Sequence, residues 1–261
     1  MANPKLALLK GVTDSPELDL KWLTEAANGD EALLDSFIAR RQKGEPVAKI
    51  IGSKGFWKQE LKVSAATLDP RPDSETLIEA VLKHFPERNQ PLRILDLGTG
   101  SGCLLIALLG EYPNATGVGM DASAAALQVA EQNVNQYVPN RARLICRSWI
   151  ADDWWQDLGG FDVVVSNPPY IPSAQIASLD KDVRDYDPLQ ALDGGQDGLR
   201  DYRILSASVG EVLKQNGMIF FEIGQGQYID VTAIMEAQKF TLKDFLHDLG
   251  GVLRVLAFQK K

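Results

Sequence analysis

Four consecutive residues, Asn167-Pro168-Pro169-Tyr170, carry the clearest chemical signal in the chain. They follow the apolar run 161–165, which predicts a buried strand. A polar amide, two rigid prolines and an aromatic ring at the end of a strand would present fixed hydrogen-bond acceptors beside a flat stacking surface. This arrangement suits a planar NH2 group, either a carboxamide or the exocyclic amine of a base. Methyl transfer is the leading chemistry that needs such a group held firmly.

The nitrogen of a carboxamide or an aromatic amine is a poor nucleophile because its lone pair is delocalised. The Asn167 side-chain oxygen and the Pro168 carbonyl could each accept one N–H and orient the lone pair toward a methyl donor. Tyr170 would stack on the planar group. No strong general base is needed, since the nitrogen becomes acidic only after alkylation. The alternative interpretation is a proline turn with a buried tyrosine, because Asn-Pro commonly begins turns.

A glycine-rich turn follows the predicted strand 93–97. Its sequence is Asp96-Leu97-Gly98-Thr99-Gly100-Ser101-Gly102, and Cys103 stands where a dinucleotide fingerprint would place its third glycine. The resulting G-x-G-x-G spacing resembles motif I of Rossmann-like S-adenosylmethionine-dependent methyltransferases. It predicts a cofactor site at the carboxyl edge of a sheet. The alternative is a tight strand-to-helix turn that binds no ligand.

Two further residues are candidates for holding an adenosyl group. Asp121 ends the next predicted strand, where a carboxylate can accept hydrogen bonds from both ribose hydroxyls; the alternative is a helix N-cap, a role for which Ser123 competes. Trp149 follows the third strand and could cover one face of the adenine. Core packing is the alternative for Trp149, with Trp154 and Trp155 equally able to cap the pocket.

Apolar periodicity divides the chain into three parts. Two helices are predicted before Gly44, β-like pieces near 49–51 and 56–63, and a seam at Asp69-Pro70-Arg71-Pro72. From 74 onward strands and helices alternate, which predicts a doubly wound, largely parallel sheet. Gly250-Gly251 allows a hairpin that makes the last strand antiparallel. We therefore predict a helical N-terminal domain (1–45), a β-hairpin linker (46–70) and an α/β domain (71–261).

The composition narrows the class of partner. The 27 Lys and Arg residues against 35 Asp and Glu residues give a net charge of −8, which disfavours stable nucleic-acid binding. Two cysteines and two histidines are too few for a zinc-type cluster, so no metal is expected. No signal peptide and no apolar run long enough to span a bilayer are apparent. A monomeric, cytoplasmic protein without membrane contact is expected.

These motifs together resemble the HemK/PrmC family, protein-(glutamine-N5) methyltransferases that act on peptide chain release factors. Flanking segments extend the resemblance over nearly the whole chain, among them Pro70–Glu75, Tyr186-Asp187-Pro188, Ala191–Gly195 and Glu222-Ile223-Gly224. The resemblance implies the family fold, a Rossmann-like class I methyltransferase domain behind a small helical domain. It also implies S-adenosylmethionine as cofactor, S-adenosylhomocysteine as product, and release factors as protein substrate.

Residue roles follow from the same resemblance. Asn167 would touch both cofactor and substrate, Pro168, Pro169 and Tyr170 would hold the glutamine side chain, and Arg71 would lie near the mouth of the site. For Arg71 the alternative is a surface salt bridge to Asp73 or Glu75. The cofactor would be bound by a larger set: Gly98, Thr99, Gly100, Ser101, Gly102, Asp121, Trp149 and Asn167.

Several alternatives remain open. Ser148 stands where the family often has Asp, so one contact to the adenine amine would be lost or moved to the backbone. A ribosomal-protein glutamine methyltransferase would use the same motifs. An adenine-N6 nucleic-acid methyltransferase would use the same clamp on a flipped base, but it should show a basic groove or a recognition domain. A non-catalytic binding module is the remaining class. Gly194-Gly195-Gln196 spells the release-factor tripeptide but reads here as a turn.

Overall fold

The computed structural model describes residues 4–261, and in that part ten α-helices and nine strands form. The helices are α1 Pro4–Leu9, α2 Pro16–Ala27, α3 Glu31–Gln42, α4 Val47–Ile51, α5 Glu75–His84, α6 Cys103–Glu111, α7 Ala124–Tyr137, α8 Lys181–Tyr186, α9 Arg200–Ser208 and α10 Tyr228–Ala237. The strands are β1 Ser53–Phe56, β2 Gln59–Lys62, β3 Arg93–Leu97, β4 Thr116–Asp121, β5 Ala142–Cys146, β6 Phe161–Ser166, β7 Leu213–Glu222, β8 Phe240–His247 and β9 Leu253–Lys260.

Seven of the strands form one sheet in the order β5-β4-β3-β6-β7-β9-β8. The first five are parallel, and β9 runs antiparallel to both β7 and β8. The predicted largely parallel sheet with an antiparallel last strand is confirmed. The strand order reverses at β3, where β4 lies on one side and β6 on the other. In an open α/β sheet, a crevice for ligands lies outside the carboxyl ends of the strands at such a point.

Apolar clusters cover both faces of this sheet. Side chains alternate along each strand, so in β6 Val163 and Val165 join the cluster under α5 and α6, while Val164 joins the cluster under α9 and α10. The same alternation puts Asp96 of β3 and Glu222 of β7 on the α5–α6 face. Their chain neighbours Leu97 and Phe221 lie on the opposite face. Two carboxyl groups are thereby buried near the carboxyl ends of the strands.

The four N-terminal helices pack around a third, smaller cluster that includes Leu9, Leu23 and Ile38. The hairpin of β1 and β2 joins this layer to the main sheet. Asn133 of α7 fixes the hairpin, because its Oδ1 accepts from Lys62 N at 2.8 Å and its Nδ2 donates to Lys62 O at 2.9 Å. The same Nδ2 donates to Ser101 O at 2.9 Å, so Asn133 bridges the hairpin and the glycine turn.

Some predicted elements differ from the observed ones. The prediction of a β-like segment at 49–51 is wrong: these residues lie in helix α4, which ends at Ile51 and is capped by Gly52 with φ of 78°. Helix α9 ends at Ser208 and continues as a 3-10 turn, and β7 begins at Leu213. Short apolar runs fit both periodicities, and here the packing around the third cluster decides for helix. Helix α1 was not predicted, and the three-part domain division stays a prediction.

Candidate active site

A cavity of about 660 Å³ opens at the carboxyl ends of β3, β4 and β6. Its size is that of a pocket for a cofactor-sized ligand. Four segments of the sheet edge contribute lining residues: Gly98 and Gly100, Asp121–Ser123, Ser148–Ile150, and Asn167 with Pro169. Further lining residues come from Ala66–Leu68 and from the later part of the chain: 188–191, Asp193, Arg200 and Asp201.

The glycine turn after β3 is held against β4 by the backbone. Met120 O accepts from Gly98 N at 2.8 Å and from Thr99 N at 3.0 Å. Gly98 has φ of 79° and Gly100 has φ of 56°, a region that L side chains rarely adopt. Gly98 and Gly100 line the cavity, whereas Thr99, Ser101 and Gly102 stand behind them as support.

Asp121 at the end of β4 bonds to the glycine turn that follows β3. Its Oδ2 accepts from Gly100 N at 2.9 Å and its Oδ1 accepts from Ser123 N at 2.8 Å. Ser123, not Asp121, caps α7, because its Oγ accepts from Ala126 N. Each carboxylate oxygen has further lone-pair capacity, and Asp121 lines the cavity. The carboxylate is therefore fixed in place and still able to accept hydroxyl groups from a ligand.

Trp149 lies over the glycine turn. A Cβ built on Gly98 would come within 3.2 Å of the Trp149 ring, so glycine is needed for this approach. The indole Nε1 donates to Asp201 Oδ1 at 2.8 Å, and Asp201 is 2% exposed. Trp154 is buried in the core, where its Nε1 donates to Ser208 Oγ. Of the three tryptophans that the sequence offered, Trp149 alone lines this cavity.

A buried acid supports the glycine turn from below. Asp96 is 1% exposed and accepts from Thr99 Oγ1 at 2.6 Å. Burial raises the pKa of Asp96 to about 7, and the Asp121 carboxylate adds to this rise while the Thr99 hydrogen bond opposes it. Its Oδ1 has no hydrogen-bond partner among the residues described.

The Asn167–Tyr170 segment is fixed by the loop that follows α8. Gln227 Nε2 donates to Tyr170 O at 3.0 Å and to Gly198 O at 3.1 Å. A Cβ on Gly194 would lie 2.6 Å from Pro169 O, and one on Gly198 would lie 2.3 Å from Tyr170 O. These close approaches explain the glycines. The Gly194-Gly195-Gln196 sequence is therefore part of a packing loop.

The side chains of this segment offer acceptors and an aromatic surface. Asn167 Nδ2 donates to Ser74 Oγ at 3.3 Å. Within residues 4–261 no donor is assigned to Asn167 Oδ1 or to the Pro168 carbonyl. Burial raises the pKa of Tyr170 to about 12, so its phenol stays neutral. Asn167 and Pro169 line the cavity, whereas Pro168 and Tyr170 are not among its lining residues.

Arg71 does not line the cavity, and its ion pair differs from the ones considered. It pairs with Asp187, not with Asp73 or Glu75, and Asp187 precedes the cavity-lining Pro188. The buried Lys49 of α4 lies 2.8 Å from Asp69 Oδ1 and 3.3 Å from Asp187 Oδ1. Desolvation raises the pKa of Asp187 even though Arg71 and Lys49 both oppose this shift. We refer to these four residues as the Lys49 cluster.

Sequence reasoning missed Asp201, Ser74 and Glu222 as parts of the site. Ser74 and Glu222 lie 148 residues apart in the chain, and only the fold brings them to Asn167. One signal was available for Glu222, since a carboxylate directly after the apolar run 218–221 is unusual in a buried strand. Among the described residues no group of side chains could hold a metal ion, and none of their helices is long and apolar enough to cross a bilayer.

The fold and the site define a methyltransferase domain. Residues 66–179 match the family model described as "Methyltransferase small domain". A methyltransferase structure from Pyrococcus furiosus covers 89% of this chain and 98% of its own, with a TM-score of 0.57 at 17% identity, which supports the fold.

Sequence relatives define the family more closely. A release factor glutamine methyltransferase from Rhodospirillum rubrum is 45% identical over 229 residues, which is 87% of this chain and 69% of the relative. One from Agrobacterium fabrum is 44% identical over 88% of this chain and 80% of the relative. The chain belongs to the family of release factor glutamine methyltransferases, which confirms the resemblance seen in its motifs.

Proposed function

We propose that this chain methylates the side-chain amide nitrogen (N5) of the glutamine in the Gly-Gly-Gln motif of peptide chain release factors, with S-adenosylmethionine as methyl donor. One observation carries the proposal. The Asn167 amide, whose oxygen has no donor among residues 4–261, faces the same cavity as the glycine turn. A hydrogen-bond acceptor for an NH2 group and a candidate cofactor site therefore line one cavity. The relatives of this chain are named release factor glutamine methyltransferases.

The cofactor half of the site consists of the glycine turn, Asp121 and Trp149, and its residues fit an adenosyl group. Gly98 and Gly100 leave backbone in place of side chains at the cavity wall. Asp121 has lone pairs left for ribose hydroxyls, and Trp149 offers an indole face. When bound, S-adenosylmethionine supplies an electrophilic methyl group on a sulfonium sulfur. Ser148, which precedes Trp149, also lines the cavity, and the family often has an aspartate at this position.

The amide half of the site consists of Asn167–Tyr170, and it would hold the glutamine side chain. Asn167 Oδ1 and the Pro168 carbonyl would accept the two N–H groups of the substrate amide. These bonds strengthen as the amide nitrogen becomes more positive, so they favour the transition state over the ground state. Tyr170, neutral because of its raised pKa, would support the planar group without acting as a base.

Label transfer tests the proposal directly. The protein is incubated with methyl-labelled S-adenosylmethionine and either a release factor or its Gln→Ala variant, with a ribosomal protein fraction and DNA as parallel acceptors. We expect label only in the release factor with the intact glutamine. Equal labelling of the two release factors would refute the proposal, and transfer to DNA or to a ribosomal protein would identify one of the other acceptors.

The same proposal bears on partners and location. A substrate that takes part in translation termination places the reaction in the cytoplasm, and we propose a monomer that meets its protein substrate transiently. The net charge of −8 argues against a stable complex with nucleic acid. Gel filtration would test the monomeric state, and cofractionation with labelled release factor would test the transient contact with the substrate.

A further inference from the structure

Behind Asn167 lies a short chain of polar contacts that leads into the protein core. Asn167 Nδ2 donates to Ser74 Oγ at 3.3 Å, and Ser74 Oγ donates to Glu222 Oε2 at 2.5 Å. Ser74 is 3% exposed and Glu222 is 1% exposed. A buried carboxylate is costly, so a site that retains one here needs a reason.

The number of protons on each group determines the direction of the hydrogen bonds at Ser74 Oγ. A serine hydroxyl has one proton to donate. When Glu222 is ionised it can only accept, so the Ser74 proton is committed to Glu222. Ser74 Oγ can then only accept from Asn167, which selects the NH2 end of the Asn167 amide. The oxygen end of that amide is left for the substrate.

We propose that Glu222 and Ser74 are positioning residues that fix the orientation of the Asn167 amide, so that its oxygen faces the substrate nitrogen. This inference rests on the proposed function and deepens it, since it names the part of the protein that sets the polarity of the amide clamp. The three residues come from the turn before α5, the end of β6 and the end of β7. The clamp is thus tied to two strands and a helix start.

The surroundings of Glu222 place its pKa near neutral pH, where the carboxyl group gains or loses its proton. Burial raises the pKa of Glu222 to about 7, Ser74 and Arg254 oppose the rise, and Asp73 adds to it. Asn167 also lowers the pKa of Glu222, as expected when its NH2 end faces the carboxylate. The titratable groups that sense Glu222 from neighbouring elements are Tyr170, Tyr202 and Cys103.

Kinetics with three variants test the proposal. Ser74→Ala removes the link, Glu222→Gln removes the charge that commits the proton, and Ser74→Thr keeps the hydroxyl. We expect kcat to fall about 10-fold or more in the first two, and to stay within about 3-fold in Ser74→Thr. The Kd for S-adenosylmethionine, measured by calorimetry, should change by less than about 3-fold in all three. Ser206→Ala is the matched control, because Ser206 is also buried and donates only within its own helix.

The double variant distinguishes positioning from general loss of stability. Because Ser74 and Glu222 hold the same amide, the loss of kcat in Ser74→Ala/Glu222→Gln should be smaller than the product of the two single losses. Turnover of the unaltered protein should rise with pH through about 7, as Glu222 ionises, and this rise should be missing in Glu222→Gln. Additive losses, or an unchanged pH profile in Glu222→Gln, would overturn the proposal.

One measurement needs no substrate. The side-chain NH2 resonances of Asn167, assigned by their loss in Asn167→Ala, should show contacts to the Ser74 side chain and should shift in Glu222→Gln. If the unaltered protein labels no release factor but this signature is present, the proposed function fails and the positioning role stands. If the protein is active and the signature and the kinetic losses are both absent, the positioning role fails alone.

Discussion

The two halves of the cavity are built in different ways. In the cofactor half, the contacts of the glycine turn are local: Thr99 reaches Asp96 across 3 residues and Asp121 reaches Gly100 across 21, while Trp149 reaches Asp201 across 52. In the amide half, Asn167 reaches Ser74 across 93 residues, and Ser74 reaches Glu222 across 148. The first half is therefore largely formed by one βαβ unit, whereas the second exists only when the whole sheet is assembled.

The halves also share a device, since a buried acid with a pKa of about 7 lies beneath each. Asp96 holds Thr99 in the glycine turn, and Glu222 holds Ser74 beside the amide. In both, the acid acts on the cavity through a hydroxyl. The difference lies in what the hydroxyl orients: a backbone turn in one half, and a side-chain amide in the other. The comparison predicts separate phenotypes for the two halves.

The largest effect is expected from Asn167→Ala in the amide half. Loss of the oxygen that we propose as acceptor for the substrate amide should lower kcat by about 10²–10³-fold. The Kd for S-adenosylmethionine should change little, because Asp121 and the glycine turn are untouched. Asn216→Ala, on an exposed part of β7, is the control. A loss of cofactor affinity as large as the loss of turnover would break the distinction between the halves.

Asp121→Ala should give the opposite phenotype. The carboxylate that we propose as acceptor for the ribose hydroxyls also accepts from Gly100 N, so its removal should weaken binding of S-adenosylmethionine by about 10–100-fold. At saturating cofactor kcat should fall much less than in Asn167→Ala. Calorimetry and steady-state kinetics measure the two quantities, and a turnover defect that persists at saturation would contradict the assignment.

Gly194→Ala tests the long-range support of the amide half. The added Cβ would lie 2.6 Å from Pro169 O and 2.8 Å from Tyr170 Cα, so the Pro169-Tyr170 backbone must shift. We expect kcat to fall about 10-fold with cofactor affinity retained. Gly55→Ala, where a Cβ meets nothing within 4 Å, should leave both values unchanged. Equal effects of the two substitutions would mean that this packing does not position the site.

The two buried acids predict how stability depends on pH. The folded protein holds protons on Asp96 and Glu222 up to about pH 7, whereas unfolded carboxyls release them near pH 4. Because the folded state binds more protons between these values, the free energy of unfolding should fall as pH rises from about 4 to above 7. Glu222→Gln should reduce that fall by roughly 2–3 kcal/mol between pH 5 and pH 8.

Urea unfolding at pH 5 and pH 8 measures this difference. Asp96→Asn provides the same comparison for the cofactor half. A fall in stability that is unchanged by either substitution would show that these acids are not buried as the structure has them.

The smallest effect is expected from Trp149→Phe. Phenylalanine keeps an aromatic face over Gly98 but cannot donate to Asp201, so the ring is held less firmly. We expect cofactor affinity to fall by about 2–5-fold with kcat retained. Trp154→Phe is not a suitable control because that residue is buried in the core; Trp22→Phe on α2 serves instead.

The same contrast explains what the sequence could predict. The glycine turn, Asp121 and the Asn167–Tyr170 segment are short motifs at strand ends, and parallel strands bring such motifs to one edge whatever the details of packing. The supports for the amide half were not predicted, because nothing local relates Ser74 or Glu222 to Asn167. Nor could periodicity distinguish helix from strand over 47–51, where four of five residues are buried and the apolar pattern fits both.

The Lys49 cluster has a practical consequence for anyone who would shorten or recombine this chain. Lys49 belongs to the helical layer, while Asp69 and Asp187 belong to the segments around the cavity mouth. Removal of residues up to 52 would leave the buried Asp69 without its cation and Asp187 with Arg71 alone, and an unpaired buried carboxylate typically costs several kcal/mol. The helical layer is therefore not an interchangeable module. A chimera that takes its first 52 residues from a relative must inherit this cation together with them.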